Sequence, residues 1–286
     1  MPESPRPSGR ASPERTSQGE RTVLGEIVEW VRRELVEEER RVPLGEVRRR
    51  AADAPPPRNL KEALARSPES DDEGDVRIIA EAKRASPSAG LLAPSYDPVA
   101  LARSYERGGA AALSILTEPR YFQGSLAHLS DVRRSVSLPV LRKDFTVAPY
   151  QVYQARAAGA DAVLLIVRCL RNEEIGDLLA LTRGLGMAAL VEAHTAEEVE
   201  RAAACGADII GVNNRNLADF HTDTETSLRL LAGIPEGCIK VAESGIHSRE
   251  QVERLHRGGF RCFLVGEALM RSPNPAEKLR ELRGAG

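Results

Sequence analysis

Three spacing regimes follow one another along the chain: an opening without apolar periodicity, a helical stretch, and then a regular beat of short apolar runs. Met1 to about Glu20 is rich in Pro, Ser, Arg and Glu. Such a segment cannot bury a core and is expected to be a disordered tail. An Arg/Ser-rich start is also a feature of transit peptides, but Glu3, Glu14 and Glu20 and the missing amphipathic pattern argue against one. From Thr22 onward Leu24, Ile27, Val28, Val31 and Leu35 fall at helical spacing and predict a helix to about Arg41. Glu37, Glu38, Arg40 and Arg41 form its solvated face. A second short helix is predicted from Leu44 to Ala51. After the turn Pro55-Pro56-Pro57-Arg58, Asn59 is placed to cap a third from Leu60 to Ala65. Ser67 to Asp75 reads as a polar, acidic loop.

The beat then begins. Apolar runs lie at Val76–Ala82, Ala111–Leu116, Leu138–Leu141, Ala162–Val167, Ala188–Val191, Ile209–Val212, Ile239–Ala242 and Cys262–Val265. They recur every 20 to 36 residues or so, the spacing of βα units in a parallel barrel. Helix-to-strand joints repeat as well: Arg107-Gly108-Gly109-Ala110, Ala158-Gly159-Ala160-Asp161, Cys205-Gly206-Ala207-Asp208 and Arg257-Gly258-Gly259-Phe260. Glycine just past a helix takes the left-handed cap at low steric cost. Asp97-Pro98 marks a helix start, and Pro139 sits near the start of its strand, where a missing donor is tolerated. The runs are rich in Val, Ile, Leu and Ala without strict alternation, as strands buried on both faces must be. An open doubly wound sheet would have fewer strands, and no G-x-G-x-x-G opens the first unit. The expected architecture is α/β: a (β/α)8 TIM barrel over residues 21–286, with extra N-terminal helices, behind a disordered tail over 1–20.

Composition narrows the class. The chain has 286 residues, is 42% hydrophobic and 29% charged, and carries a formal net charge of −2. That balance is ordinary for a globular protein and gives no push toward nucleic acid. No uninterrupted apolar stretch approaches the roughly 20 residues needed to cross a bilayer, so no membrane role is expected. Cys169, Cys205, Cys238 and Cys262 show no C-x-x-C spacing, and the five histidines form no metal motif. Reduced thiols in a cytoplasmic protein, and no metal, are the expectation.

The chemistry sits where the apolar runs end. Glu81 and Lys83, two apart, share one side of strand one. Lys143 ends strand three, Glu192 strand five, Asn213 strand six, and Glu243-Ser244 strand seven. Active sites of these barrels lie at the carboxyl ends of the strands. A single buried ion pair there could be packing alone. Three acids and two amines around one mouth are harder to explain so, because buried pairs seldom stabilise relative to apolar residues. Ser244-Gly245-Ile246 and Val265-Gly266-Glu267-Ala268 follow strands seven and eight, the recurrent phosphate position of this architecture. Glu267 would contribute through its backbone, its carboxylate turned away. Arg84 to Gly90 suits a flexible cover over the mouth. Phe145 offers either a flat wall for an aromatic ligand or ordinary packing.

Taken together, Ala80-Glu-Ala-Lys-Arg-Ala-Ser-Pro-Ser88, Leu113-Ser-Ile-Leu-Thr-Glu118, Tyr121-Phe-Gln-Gly124 and Leu141-Arg-Lys-Asp-Phe145 resemble the indole-3-glycerol-phosphate synthase family. So do Leu190-Val-Glu192, Ile210-Gly-Val-Asn-Asn-Arg-Asn-Leu217, Val241-Ala-Glu-Ser-Gly-Ile246 and Leu264-Val-Gly-Glu267. The resemblance runs from about Thr22 to the C-terminus. It implies closure of an indole ring in tryptophan biosynthesis on a phosphorylated aromatic amine, with loss of carbon dioxide and water and no cofactor. It implies Lys143 as general acid, with Glu81 and Lys83 assisting, and Glu192 as base or electrostatic partner. Asn213 would position the substrate, and Ser244 would line the site beside Glu243. Ser86, Phe145, Arg215 and Glu243 would contact substrate, and Lys83, Gly245, Gly266 and Glu267 would hold phosphate. A second amine or burial would lower the Lys143 pKa; Glu81 and Glu192 would raise it, and the sequence does not set the balance. A fused isomerase is not expected, since the chain ends soon after strand eight, and no partner enzyme is legible. The rival functions are another phosphate-binding barrel enzyme, an isomerase or lyase, and a barrel that binds a metabolite without turning it over.

Overall fold

The computed structural model describes residues 22–65, 76–216 and 221–284. The tail expected over residues 1–20 and the acidic loop expected over 67–75 lie outside the described residues. Eight parallel strands close into a barrel: β1 (Arg77–Ala82), β2 (Ala112–Leu116), β3 (Val140–Lys143), β4 (Ala162–Ile166), β5 (Ala188–Ala193), β6 (Ile209–Asn213), β7 (Ile239–Glu243) and β8 (Cys262–Val265). Each pairs with its sequence neighbours, and β1 pairs with β8 to complete the ring.

Side chains alternate across each strand, so the barrel has two cores. Ile79, Ala112, Leu141, Ala162, Leu164, Leu190, Ile209, Val241 and Leu264 fill the interior. Ile78, Ala80, Val140, Val163, Val191, Ile210 and Phe263 pack outward under the helices. Along the inward stripe the chemistry changes with height. Leu141 is followed two residues on by Lys143, Leu190 by Glu192, Val241 by Glu243 and Ile79 by Glu81. The lower interior is apolar and the carboxyl-end layer is charged.

The N-terminal helices wrap the barrel from end to end. The first, α1 (Val23–Arg41), is capped by the Thr22 hydroxyl and lays Val23, Leu24 and Ile27 against the carboxyl-end cleft. Tyr150 donates its hydroxyl to the carbonyl of Val42 at 3.0 Å, which fixes the far end of α1. The second, α2 (Leu44–Asp53), packs along the helix Pro149–Ala157. The third, α3 (Leu60–Leu64), is capped by Asn59, and its Leu60 and Leu64 join the interior core. Arg58 ties this end down through its amide to Asp161 (2.7 Å) and its guanidinium to the Leu138 carbonyl (2.6 Å). At the helix-to-strand joints Gly109, Gly159, Gly206 and Gly259 all have positive φ, as the repeated motif predicts.

Two sequence expectations shift. The third strand runs Val140–Lys143 rather than Leu138–Leu141. Pro139 offers no N–H to a ladder, and the charges of Arg142 and Lys143, which hide the strand in the sequence, are each satisfied on opposite faces. The loop after β1 is a small hairpin, Ala85–Ser86 paired antiparallel with Gly90–Leu91. The Leu92 amide closes it on the Arg84 carbonyl at 2.8 Å.

Candidate active site

Glu81, Lys83, Ser86, Lys143, Phe145, Glu192, Asn213, Arg215, Glu243 and Ser244 all line one cleft at the carboxyl end of the barrel. Including its open mouth, the cleft encloses about 940 Å³. Residues more than a hundred positions apart in sequence converge there because parallel strands in register bring their ends to one rim. Asn213 lies opposite Glu243, and Glu192 opposite Gly211. Gly245, Gly266 and Glu267 do not line the cleft; Gly245 stands on the loop after β7, and Gly266 and Glu267 open the short helix Glu267–Met270 after β8.

Lys143 is the centre of the charge pattern. Its Nζ is 2.9 Å from Glu192 Oε2 and 3.5 Å from Glu243 Oε2. Burial disfavours the ammonium, but Glu192, Glu243 and Glu81 together outweigh it and raise its pKa. The balance left open by the sequence thus falls to the carboxylates. Glu192 is itself desolvated, yet Lys143, His194 and Asn213 hold it down to about 2. Asn213 Nδ2 donates to Glu192 Oε1 at 3.0 Å, while the amide of Arg215 donates to Asn213 Oδ1 at 3.0 Å, which fixes which way the side chain faces.

Glu243 behaves oppositely. Burial and the like charges of Glu192 and Glu81 push its pKa up to about 8, although Lys143 stands nearby and lowers it. The ammonium is nearer Glu192, so Glu192 keeps the negative charge and Glu243 keeps a proton near neutrality. Glu243 Oε1 is buried and finds no hydrogen-bond partner among the described residues. Across the mouth, Lys83 Nζ bonds Glu81 Oε1 at 2.7 Å, and Ser114 reaches Glu81 Oε2 at 3.3 Å. Burial opposes ionisation of Glu81, but Lys83, Lys143 and these bonds lower its pKa overall.

Two glycines make room for these carboxylates. A Cβ on Gly211 would collide with Glu243 Oε1, and one on Gly266 would stand 2.7 Å from Glu81 Oε1. A glycine inside a strand commonly marks such a close approach. Gly266 therefore has a steric duty toward Glu81 that its phosphate-loop position does not suggest. After β7, Ser244 (φ 68) and Gly245 (φ 75) are successive left-handed residues. A left-handed backbone is uncommon for serine and is a form of strain that gathers at functional sites. Glu267 turns its carboxylate toward Arg271 (2.9 Å) and Arg215 (3.7 Å).

The apolar side of the cleft carries residues for which the sequence offered less. Phe145 pairs with Phe122, ring centroids 6.1 Å apart, and α1 adds Val23, Leu24 and Ile27. Phe122 lies in the loop after β2; an aromatic residue in a carboxyl-end loop is the signal that could have found it. Ser86 accepts the Ala89 amide at 3.1 Å, while Ser88 accepts from Arg215 Nη1 at 2.8 Å, so the hairpin is tied across the mouth to the loop after β6. Among the described residues no group of three His, Cys, Asp or Glu is arranged to hold a metal ion. None of the four cysteines forms a disulfide, and no described helix is long and apolar enough to cross a membrane.

Fold and cleft define the class: a (β/α)8 barrel with a buried cluster of amines and carboxylates at its carboxyl-end mouth and an aromatic wall beside it. A family model described as indole-3-glycerol phosphate synthase matches residues 24–282, and the chain belongs to that family. It is 50% identical over 264 residues to an indole-3-glycerol phosphate synthase of Micrococcus luteus, covering 92% of this chain and 98% of the relative. A relative of the same name from Roseiflexus is 47% identical over 272 residues, covering 92% of this chain and 98% of the relative. One from Mycobacterium avium is 46% identical over 265 residues, at 93% and 95% coverage. Among solved structures, a 3-hexulose-6-phosphate synthase aligns with a TM-score of 0.57 at 15% identity over 73% of this chain and 99% of its own. A thiamine phosphate pyrophosphorylase of Pyrococcus furiosus gives 0.56 at 17%, over 74% of this chain and 96% of its own. At that identity the likeness is one of fold.

Proposed function

We infer that this protein closes an indole ring: it converts 1-(2-carboxyphenylamino)-1-deoxyribulose 5-phosphate to indole-3-glycerol phosphate in tryptophan biosynthesis, acting as a carboxy-lyase. The observation that carries this reading is one amine, Lys143, held 2.9 Å from Glu192 and 3.5 Å from Glu243 beside a paired aromatic wall. Family membership over residues 24–282 supports it independently.

The chemistry asks for that arrangement. The ring carbon bearing the carboxylate attacks the ketone carbon. As that bond forms, the carbonyl electron pair moves to oxygen and takes a proton from Lys143 Nζ. The ring becomes cationic, with charge shared onto the anilino nitrogen, and Glu192 and Glu81 oppose that charge at short range. Cleavage of the bond to the carboxylate then releases carbon dioxide and returns its electron pair to the ring. The new hydroxyl leaves as water after taking a second proton, and a proton departs from the neighbouring carbon to form the double bond. Two protons are delivered and one is recovered, so one is taken up for each carbon dioxide released.

Glu81 and Lys83 serve the dehydration, Lys83 also lying near phosphate. Asn213 and Ser244 position the substrate beside Glu243, Ser86 and Arg215 meet its polar groups, and Phe145 takes its aromatic ring with Phe122. The backbone at Gly245, Gly266 and Glu267 holds the phosphate. Residues 21–286 work as one barrel domain in the cytoplasm, a placement supported by four cysteines without a disulfide and by the biosynthetic family. The test is direct: purified protein given this substrate generates the fluorescence of an indole. A folded preparation that produces none refutes the reading.

A further inference from the structure

The loop after β2 is gathered onto one buried side chain. Glu118 does not line the reactive cleft and is closed off from solvent. Its Oε1 accepts the amide of Arg120 at 2.9 Å, and its Oε2 accepts those of Tyr121 and Phe122 at 2.7 and 3.0 Å. Its carbonyl accepts the Gly124 amide at 2.8 Å, and the Ser125 amide returns to the Leu116 carbonyl at 3.3 Å, so the loop closes on the strand end it left. Gln123 takes a left-handed φ of 53, and a Cβ on Gly124 would collide with the Leu116 carbonyl. Burial and the neighbouring Asp144 raise the Glu118 pKa, and the three amides oppose that rise. Among the described residues its side chain is held by backbone amides rather than by a cation. A buried carboxyl group without a counter-ion is costly, and what this one contributes is the geometry of the backbone it binds.

The three amides belong to residues whose side chains diverge. Tyr121 meets Trp30 of α1 edge-on, ring centroids 6.4 Å apart at 81°. The Arg120 guanidinium lies over both rings, 5.8 Å from the Trp30 centroid and 5.3 Å from that of Tyr121. Phe122, the next residue, lines the reactive cleft and pairs with Phe145. One side of the loop is thus fastened to α1, and the other supplies half of the aromatic wall. The two halves are held differently. Phe145 is fixed through its own backbone, its amide bonded to Asp144 and its carbonyl to Gln151 Nε2, each at 2.8 Å. Phe122 lies outside any strand or helix, and its amide is held by Glu118.

We propose that Glu118 is a positioning residue that acts through Phe122: from outside the cleft, its carboxyl group binds the Arg120–Phe122 backbone and presents the Phe122 ring to the aromatic ring of the substrate, beside Phe145. The wall is thereby set by a side chain that substrate does not touch. The role needs two acceptor oxygens and three reachable amides, not a change of charge. Its kinetic part rests on the ring-closing activity inferred above; the ordering of the loop does not.

The test pairs a double-mutant cycle with amide exchange. Glu118→Gln keeps the shape but replaces one acceptor oxygen by an NH2 group, which cannot receive an amide proton. Its kcat/KM for the carboxyphenylamino substrate is expected to fall about 3- to 10-fold, the worth of an aromatic contact. The loss falls mostly on KM, because a wall that seats the ring meets ground and transition states alike. Phe122→Ala alone costs at least as much. Adding Glu118→Gln to Phe122→Ala changes kcat/KM by less than about twofold, since the carboxyl group then has no ring to position. Hydrogen exchange followed by NMR shows the amides of Arg120, Tyr121 and Phe122 exchanging faster in Glu118→Gln than in wild type, with those of β2 unchanged. If Glu118→Gln does not fold, Glu118→Asp, which keeps the charge but shortens the reach, goes through the same cycle. Kinetics equal to wild type, losses that multiply in the double variant, or unchanged exchange of the three amides each overturns the proposal. A folded wild type that leaves the substrate unconverted removes the ring-closing reading and the kinetic role together. The exchange rates still decide whether Glu118 orders the loop.

Discussion

Arg142 and Lys143 are neighbours on β3, both cationic and both buried, yet they face opposite sides of the barrel wall. Outside, Arg142 bonds Asp144 at 2.8 Å, Thr117 at 3.1 Å and the Gln151 carbonyl at 2.9 Å. Asp144 is held in turn by Thr117 and the Phe145 amide. That cluster is balanced, one cation to one anion with its donors placed. Inside, Lys143 is shared by two carboxyl groups, one of which, Glu243, has its pKa pushed up to about 8 and an oxygen with no hydrogen-bond partner among the described residues. A balanced buried pair anchors structure, whereas an unbalanced one holds a proton ready to move. Arg142 fixes the strand end, and Lys143 uses that fixed position.

Removing the inner cation is expected to cost the most. Lys143→Ala should lower the rate of indole formation by about 10²–10⁴-fold, the usual worth of a general acid, in a protein that a thermal melt still shows folded at the assay temperature. Fluorescence turnover and a thermal melt on one preparation check both halves. Breaking the outer pair should do the reverse. Asp144→Ala strands the Arg142 guanidinium and is expected to cost about 3–5 kcal/mol of stability, read from urea unfolding. Gly211→Ala tests the contact between the layers: its methyl group evicts the Glu243 carboxyl, and a displacement on the order of 1 Å costs about 10²-fold in kcat. The matching Gly266→Ala disturbs Glu81.

The smallest effect concerns pH. Glu243 has its folded pKa raised to about 8 from an ordinary 4.5. Above pH 8 it ionises, adds negative charge beside Lys143 and tightens that proton, so the rate should decline on the alkaline side. Stability follows the same sign: the contribution is complete below 4.5 and is lost as pH rises toward 8, because only the unfolded chain releases the proton in that window. Glu243→Gln should abolish the alkaline limb and flatten the stability slope between those values. An unchanged limb would assign it to another group.

Much of this arrangement was legible before any coordinates. Glu81, Lys83, Lys143, Glu192, Asn213 and Glu243 were visible because a period of two carries an inward stripe from apolar to polar at each strand end. The eight-strand count was visible because glycine joints punctuate it. The third strand was displaced by two residues because Arg142 and Lys143 read as loop charges until Asp144 and Glu192 are seen to neutralise them. The helical stripe of α1 showed a buried face, but Val23, Leu24 and Ile27 cover the reactive mouth only because α2 and α3 carry the chain on to the opposite end. The sign of the Lys143 shift depends on distances to Glu192 and Glu243, which lie 49 and 100 positions further along the chain. Spacing alone does not contain them.

The contrast between the two faces of β3 is tested most directly by the turnover ratio of Arg142→Met to Lys143→Met, each measured by indole fluorescence at a temperature where the melt shows it folded. The account predicts that Arg142→Met, once folded, retains most of its kcat, while folded Lys143→Met falls by about 10²-fold or more. Equal rates for the two variants, or a Lys143→Met protein as active as wild type, would contradict it.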